Sequence, residues 1–338
     1  MRARLFLLPL ALAPLLAGAA AAQDADFYRG KQIHLTISTG PGGGYDAYAR
    51  TLARYMAAHI PGAPTIVAQN MPGAGGLRAT SYVYNNAARD GTAMALVHGS
   101  MTTADLLTPE GASFKPANFA YIGNIDGEPG FCVAWKGSAV KTVADLKTHD
   151  FIVGSTGAGA GLDIHPRVLN KLYGAHMRVV AGYEAGNDVA LAMERGEVDG
   201  RCSWPVSALQ VMRPQWLTNG DITLLVQFGI EKHPRYPNVP SILDLVTDPD
   251  ARAALELILA ERQLLRPVMA PPETPKERVE ILRRAFLATM ADPGFLAECQ
   301  KQGLGVTPMA GDKVQALVAR VHETPPRIVK LAADLIAD

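Results

Sequence analysis

The chain contains three glycine-rich turns, each of which follows a predicted strand and precedes a predicted helix. They span residues 40–46, 72–76 and 154–161. Short β-branched runs alternate with amphipathic helical stretches along most of the sequence, as at residues 33–37 before the first turn and 46–59 after it. This alternation is typical of an α/β fold.

Glycine turns of this kind expose successive backbone N–H groups, and the helix that follows adds unpaired amides and the positive end of its dipole. Such a turn is suited to binding an anion. Any one of the three, taken alone, is better explained by tight strand-to-helix packing. Three in one chain, with the hydroxyls of Ser155 and Thr156 in the third, favour a binding role.

The first 22 residues have the pattern of a secretory signal peptide. Arg2 and Arg4 precede an uncharged stretch that ends in small residues at Ala20–Ala22. The alternative is a membrane anchor, but the stretch is barely long enough to span a bilayer, and Pro9 and Pro14 interrupt it. We therefore expect a cleaved signal peptide at residues 1–22 and a periplasmic, secreted mature protein.

The charge and size of the mature chain exclude several classes of protein. Removal of residues 1–22 takes away two of the 32 basic residues and none of the 32 acidic ones, which leaves a net charge of 30 minus 32, or −2. This near-neutral balance gives no electrostatic basis for binding nucleic acid or an anionic membrane. The remaining 316 residues, 338 minus 22, exceed one hydrophobic core, so two domains are expected. The three cysteines, Cys132, Cys202 and Cys299, allow at most one disulfide, whose pairing stays open.

The sequence contains no convincing motif for catalysis, a cofactor or a metal. Gly42, Gly44 and Ala47 fit a dinucleotide fingerprint, but the acidic residue expected about 20 positions later is missing. The eight histidines are scattered. We therefore predict no catalytic residue, no cofactor and no metal site. An exported hydrolase that uses Ser155 is the alternative from a different class, although no base-bearing motif accompanies this serine.

Several motifs resemble the solute receptors of tripartite tricarboxylate transporters, also called the Bug family. The resemblance covers almost the whole mature chain and rests on residues 39–43 with Asp46, 69–76, 89–92, 154–157, 196–199 and 235–240. It implies a two-lobed, type II periplasmic-binding-protein-like α/β fold with a hinge between the lobes. The domains expected from it are residues 23–124 plus 228–338 for lobe 1 and residues 125–227 for lobe 2.

The resemblance also implies which residues hold the carboxylate of a ligand. Carried onto matching positions, the implied contacts are Gly43, Gly73, Ala74, Gly75, Ser155 and Thr156. Their neighbours in the same turns complete the predicted site: Gly42, Gly44, Tyr45, Gly76 and Gly157. Leu77 departs from the family's usual asparagine, so contacts to the rest of the ligand are not implied. Tyr45 and Trp204 are candidates for stacking on a flat ligand, although Trp204 is equally explained as a core residue.

The predicted function is capture of a small carboxylate by a monomeric receptor that delivers it to membrane transporter subunits. A sensory role, in which the receptor presents its ligand to another membrane protein, is the further alternative. Half a dozen hydrogen bonds to a charged group, at roughly 1.5–3 kcal/mol each, are sufficient for micromolar affinity after the loss of rigid-body freedom. These hydrogen bonds alone account for the binding of the carboxylate, so no buried arginine is needed.

Overall fold

The structure of the protein is a computed structural model that describes residues 27–337. The predicted signal peptide lies outside the described residues. The strands are β1 (Gln32–Ile37), β2 (Thr65–Asn70), β3 (Ala93–Leu96), β4 (Ala120–Asn124), β5 (Gly130–Trp135), β6 (Phe151–Ser155), β7 (Met177–Ala181), β8 (Gly200–Pro205), β9 (Ile222–Phe228), β10 (Pro267–Ala270) and β11 (Met309–Ala310).

Helices connect and cover these strands. They are α1 (Gly44–His59), α2 (Leu77–Asn85), α3 (Ala104–Leu107), α4 (Gly161–Tyr173), α5 (Gly186–Glu194), α6 (Val206–Met212), α7 (Pro249–Leu259), α8 (Lys276–Met290), α9 (Pro293–Lys301), α10 (Gly311–Val321) and α11 (Pro326–Ile336). None of the helices within residues 27–337 combines the length and the apolar character needed to cross a membrane.

The first sheet has the strand order β11-β4-β10-β3-β1-β2. β1 runs parallel to β2 and to β3, whereas β10 is antiparallel to β3 and β4. The alternation in β1 decides which face is buried, because Ile33 and Leu35 are fully buried while His34 between them is exposed. Since parallel strands end at the same edge, the two glycine turns after β1 and β2 lie side by side.

The second sheet has the order β7-β6-β8-β5-β9. β6 is parallel to β7 and β8, and β5 is antiparallel to β8 and β9. The third glycine turn leaves the carboxyl end of β6 and leads into α4. The α/β architecture therefore consists of two separate sheets, each with its own hydrophobic clusters.

Two helices from the C-terminal part of the chain, α7 and α11, pack against the second sheet. Leu255 of α7 and Ile328 of α11 belong to the same buried cluster as Val168 of α4 and Val153 of β6. The division into lobes at residues 124/125 and 227/228 stays a prediction. Any division into lobes has to account for the packing of α7 and α11 against the second sheet.

A disulfide joins the middle of the second sheet. Cys132 of β5 and Cys202 of β8 are bonded to each other, with a sequence separation of 70 residues. Both side chains are fully buried, and Cys299 is a free thiol buried in the cluster around α1 and α8. The pairing that the sequence leaves open is thus between neighbouring antiparallel strands.

Candidate functional site

The three glycine turns meet between the two sheets. Gly75, in the second turn, has φ +63° and lies so close to the third turn that a Cβ atom there would collide with the carbonyl oxygen of Ala158. The first turn faces the second sheet as well, since a Cβ on Gly40 would lie 3.4 Å from the Cβ of Ala185. The helix starts behind these turns therefore border a shared crevice.

A cavity of about 60 Å³ lies in this crevice. Both sheets contribute to its wall. The lining residues are Thr39, Gly43, Gly44, Tyr45, His98, Ser100, Thr156, Gly161, Leu162, Ala185, Gly186, Arg201, Ser203, Pro205, Ala208, Met212, Glu261, Arg262, Leu265 and Arg266. The wall is rich in charge, because it includes three arginines and one glutamate.

Among the described residues, Arg201 is the arginine of the cavity wall that has no ion pair, whereas Arg262 and Arg266 each have at least one. Its side chain comes from β8 and is only 4% exposed. One guanidinium nitrogen donates to the carbonyl oxygen of Gly186 at 2.9 Å, and the group lies 4.1 Å from the ring centroid of Trp204. Among the described residues, no carboxylate forms an ion pair with it, and its Nε has no hydrogen-bond partner. Burial lowers the pKa of Arg201 to about 9.

Arg262 and Glu261 form a second charged part of the wall. The guanidinium of Arg262 donates to the Ser203 hydroxyl at 3.2 Å and to the carbonyl oxygen of Glu128 at 3.0 Å. The Glu261 carboxylate is 3.9 Å from this guanidinium and 3.7 Å from Nε2 of His165. Burial raises the pKa of Glu261, and the charge of Arg262 opposes that shift. Glu261 is thus a buried carboxyl whose cationic neighbour, Arg262, lies beyond hydrogen-bond distance.

Arg266 connects the cavity to a buried network that crosses between the sheets. It forms an ion pair with Asp126 at 3.0 Å and donates to the hydroxyl of Ser207, in α6, at 2.9 Å. The Tyr48 hydroxyl donates to the same Asp126 carboxylate at 3.2 Å. Because Arg266 already has a carboxylate partner, its charge is largely compensated within the protein.

Unpartnered polar atoms are concentrated around the cavity. Seven of its buried side-chain atoms lack a hydrogen-bond partner: Thr39 Oγ1, His98 Nδ1, Ser100 Oγ, Thr156 Oγ1, Arg201 Nε, Arg262 Nε and Arg266 Nε. Buried polar groups are almost always hydrogen-bonded in folded proteins. Such a group of donors in one enclosed space indicates a polar or anionic guest.

Only some of the predicted ligand-binding residues border the cavity. Gly43, Gly44, Tyr45 and Thr156 line it. The remaining predicted residues are not part of its wall: Gly42, Gly73, Ala74, Gly75, Gly76, Ser155 and Gly157. The second turn packs behind the wall, against the third turn and His98. A binding role for each of the eleven residues stays a prediction.

Ser155 is fully buried, and its hydroxyl oxygen accepts a hydrogen bond from the Gly157 amide at 3.1 Å. Within the described part of the chain, no histidine is hydrogen-bonded to this hydroxyl. The geometry expected of an activated nucleophile is therefore not present at Ser155.

The two aromatic candidates have different surroundings. The Tyr45 hydroxyl donates to the carbonyl oxygen of Leu265 at 2.8 Å, its ring contacts His98 edge to face, and burial raises its pKa to about 12. Trp204 is 1% exposed and belongs to a core cluster with Trp216. Tyr45 thus borders the cavity, whereas Trp204 is a core residue that supports Arg201.

Arg201, Glu261, Arg262 and Arg266 were not predicted from the sequence. One signal was present for Arg201, which is a charged residue between Gly200 and Cys202 in a stretch that is otherwise small or apolar. Glu261 and Arg262 gave no such signal, because they lie in an ordinary helical pattern. Within residues 27–337, no group of three or more His, Cys, Asp or Glu residues is arranged to hold a metal ion.

A sequence profile and several solved structures match this chain. The sequence profile described as the tripartite tricarboxylate transporter family receptor matches residues 48–332. The periplasmic binding protein BugD has a TM-score of 0.72 and 22% identity, with coverage of 91% of this chain and 97% of BugD. The malate-bound MatC of Rhodopseudomonas palustris has a TM-score of 0.69 and 21% identity, covering 91% and 99% of the two chains.

An adipate-bound protein of R. palustris has a TM-score of 0.70 and 20% identity, with coverage of 89% of this chain and 97% of that protein. No curated protein matches the sequence. At these identities the structural likenesses show the fold alone, and they confirm the predicted α/β architecture of the periplasmic-binding-protein kind.

Proposed function

This chain belongs to the tripartite tricarboxylate transporter receptor family, and we propose on that premise that it encloses a small carboxylate between its two sheets. The family consists of solute-binding receptors and not of enzymes. In this proposal Arg201 supplies the positive charge opposite the carboxylate. Backbone amides of the first glycine turn and the hydroxyl of Thr156 supply hydrogen bonds.

The observation that carries the proposal is the buried, unpaired guanidinium of Arg201. Burying a charge without a partner costs several kcal/mol. A carboxylate in the cavity removes most of this cost, because it provides both a counter-charge and acceptors for the free N–H groups. The state with a bound anion is therefore the electrostatically complete one.

The structural relatives support the same class of ligand. Two of them hold adipate and malate, both of which are small dicarboxylates. A cavity of about 60 Å³ is consistent with a small guest held in a closed arrangement of the two sheets. The mature protein is proposed to act in the periplasm, after removal of the signal peptide, and to deliver its ligand as a monomer to membrane transporter subunits.

A non-catalytic role is proposed for Ser155. Its hydroxyl oxygen accepts a hydrogen bond from the Gly157 amide, and Ser155 is not one of the residues that line the cavity. If Ser155 were a nucleophile, Ser155→Ala would remove an esterase activity that the unmodified protein possesses. We expect no such activity in the unmodified protein.

A substitution of Arg201 tests the proposal. A thermal-shift screen of small carboxylates first identifies an acid that binds, since a ligand of the native state raises the melting temperature. For that acid, Arg201→Met should lower the affinity by about 10-fold to 100-fold, because hydrogen bonds to a charged group are lost. Isothermal titration calorimetry measures the change.

The stability of the unliganded Arg201→Met variant should be equal to or higher than that of the unmodified protein, because a buried unpaired charge is removed. Arg178→Met, at an exposed arginine of β7 in the same sheet, is the matched control and should change neither quantity. Unchanged affinity in Arg201→Met, or a screen in which no carboxylate binds, would contradict the proposal.

A further inference from the structure

Glu261 is an unexpected residue in a cavity that is proposed to hold an anion. It lies in the 3₁₀ segment Ala260–Leu264 between α7 and β10, is 5% exposed and lines the same cavity as Arg201. A carboxylate beside a bound carboxylate is repulsive. Unless this carboxylate has a separate partner, its place in the wall weakens binding.

The partners that the protein itself provides are weak. The nearest guanidinium nitrogen of Arg262, Nη1, is 3.9 Å away, beyond hydrogen-bond distance, and it already donates to the Ser203 hydroxyl. His165 is 3.7 Å away and is kept neutral, because burial lowers its pKa well below the ordinary value. Its ring nitrogens have no hydrogen-bond partner. The Ser100 hydroxyl also lies beside the Glu261 carboxylate and lowers its pKa, but it makes no hydrogen bond of standard geometry. Glu261 thus retains free acceptor capacity toward the cavity.

The cavity is therefore bipolar, with a donor-rich wall around Arg201 and Thr156 and an acceptor at Glu261. We infer that Glu261 accepts a hydrogen bond from the ligand, so that the receptor prefers small carboxylates that carry a hydroxyl or ammonium group beside their acidic group. This inference rests on the proposed function and adds a second recognition element to it. The alternative is that Glu261 only neutralises Arg262 and has no contact with the ligand.

Matched ligands test the inference on the unmodified protein. The panel has three triplets: propionate, lactate and alanine; succinate, malate and aspartate; and glutarate, 2-hydroxyglutarate and glutamate. In at least one triplet, the hydroxy or amino acid should bind about tenfold or more tightly than the unsubstituted acid, which is the effect of one hydrogen bond to a charged group. Calorimetry with each pure acid gives the ratio.

Two substitutions then assign the preference to Glu261. Glu261→Met removes the acceptor and should reduce the ratio to about threefold or less, while the unsubstituted acids bind as tightly as before or more tightly because a repulsive charge is lost. Glu261→Gln keeps an acceptor without the charge. It should retain the preference if the donor is a hydroxyl and lose most of it if the donor is an ammonium group, which distinguishes the two ligand types.

Glu256→Gln, at a half-exposed residue of α7, is the control and should leave every ratio unchanged. The inference fails if the unsubstituted acids bind as well as their substituted partners in every triplet, if only carboxylates outside the panel bind, or if Glu261→Met keeps the preference. In these cases a loss of binding in Arg201→Met would still support the proposed function. If no carboxylate binds at all, the proposed function fails together with the inference.

Discussion

Among single residues, His98 shows how burial at the cavity makes stability depend on pH. The side chain is 8% exposed and packs against Tyr45, and burial lowers its pKa to about 4. In the unfolded chain a histidine has a pKa of about 6.5. Between these two pH values only the unfolded state binds the proton. The buried, neutral His98 therefore contributes fully to the free energy of unfolding above about pH 6.5, and this contribution is lost as the pH falls toward about 4.

We therefore expect acid to destabilise the protein through His98. From pH 7 to pH 5 the free energy of unfolding should fall by about 2 kcal/mol more in the unmodified protein than in His98→Asn, which cannot titrate in this range. Urea denaturation at the two pH values measures the difference. His34→Asn, at an exposed histidine of β1, is the control, and an equal pH dependence in His98→Asn and in the unmodified protein would contradict this assignment.

The individual arginines show why the charge of a side chain is not enough to assign its role. Arg266 is fully buried but has Asp126 as its partner, so it belongs to the framework between the sheets. Arg201 is equally inaccessible and has no such partner. The difference in pairing, and not the difference in burial, makes Arg201 the candidate for ligand binding.

At the level of elements, the disulfide fixes β5 against β8. This pairing places Arg201, the residue before Cys202, at the cavity. The bond joins cysteines that are 70 residues apart. Closing a loop of this length removes conformational entropy from the unfolded chain. The disulfide thus stabilises the strand that carries the proposed ligand-binding arginine.

Replacing both bonded cysteines with alanine should lower the free energy of unfolding by about 4 kcal/mol. Guanidinium denaturation without reductant measures the loss, and treatment of the unmodified protein with a reductant should reproduce it. Cys299→Ala, which removes a buried thiol that is not bonded, is the control and should have a smaller effect. Equal effects of the double variant and of Cys299→Ala would show that the bond contributes little.

In the whole molecule, the contact between the second and third turns links the two sheets. Gly75 allows this approach because it has no Cβ and adopts φ +63°. Arg266, Asp126 and Ser207 make a second link nearby. If ligand binding requires the two sheets to close on the ligand, the affinity depends on how closely these segments can approach each other.

Gly75→Ala should lower the affinity for the bound carboxylate by about tenfold or more, since the added methyl group prevents the turns from meeting and strains the backbone. The radius of gyration of the ligand-saturated variant, measured by small-angle scattering, should exceed that of the unmodified protein. Gly220→Ala has a similar backbone strain at φ +70° with no atom near the added methyl group, and it should retain normal affinity. Normal affinity in Gly75→Ala would show that the turns do not control closure.

Much of the fold was predictable from local sequence. β1 was recognisable because its buried and exposed residues alternate, and the start of α9 was recognisable because Asp292 caps it by accepting from the Gly294 and Phe295 amides. β4, β8, β10 and β11 were not predicted, and every residue of β8 and β10 is buried. A short strand covered on both faces has no alternation to distinguish it from other apolar segments.

By itself the sequence determined the α/β class, the family and the glycine turns, because these depend on residues that are neighbours in the chain. Only the tertiary structure decided which side chains face the cavity. Arg266 and Asp126 are 140 residues apart, and Arg262 and Ser203 are 59 apart. Whether a buried charge is paired inside the protein or left for a ligand depends on how such distant segments pack, and local sequence does not contain that information.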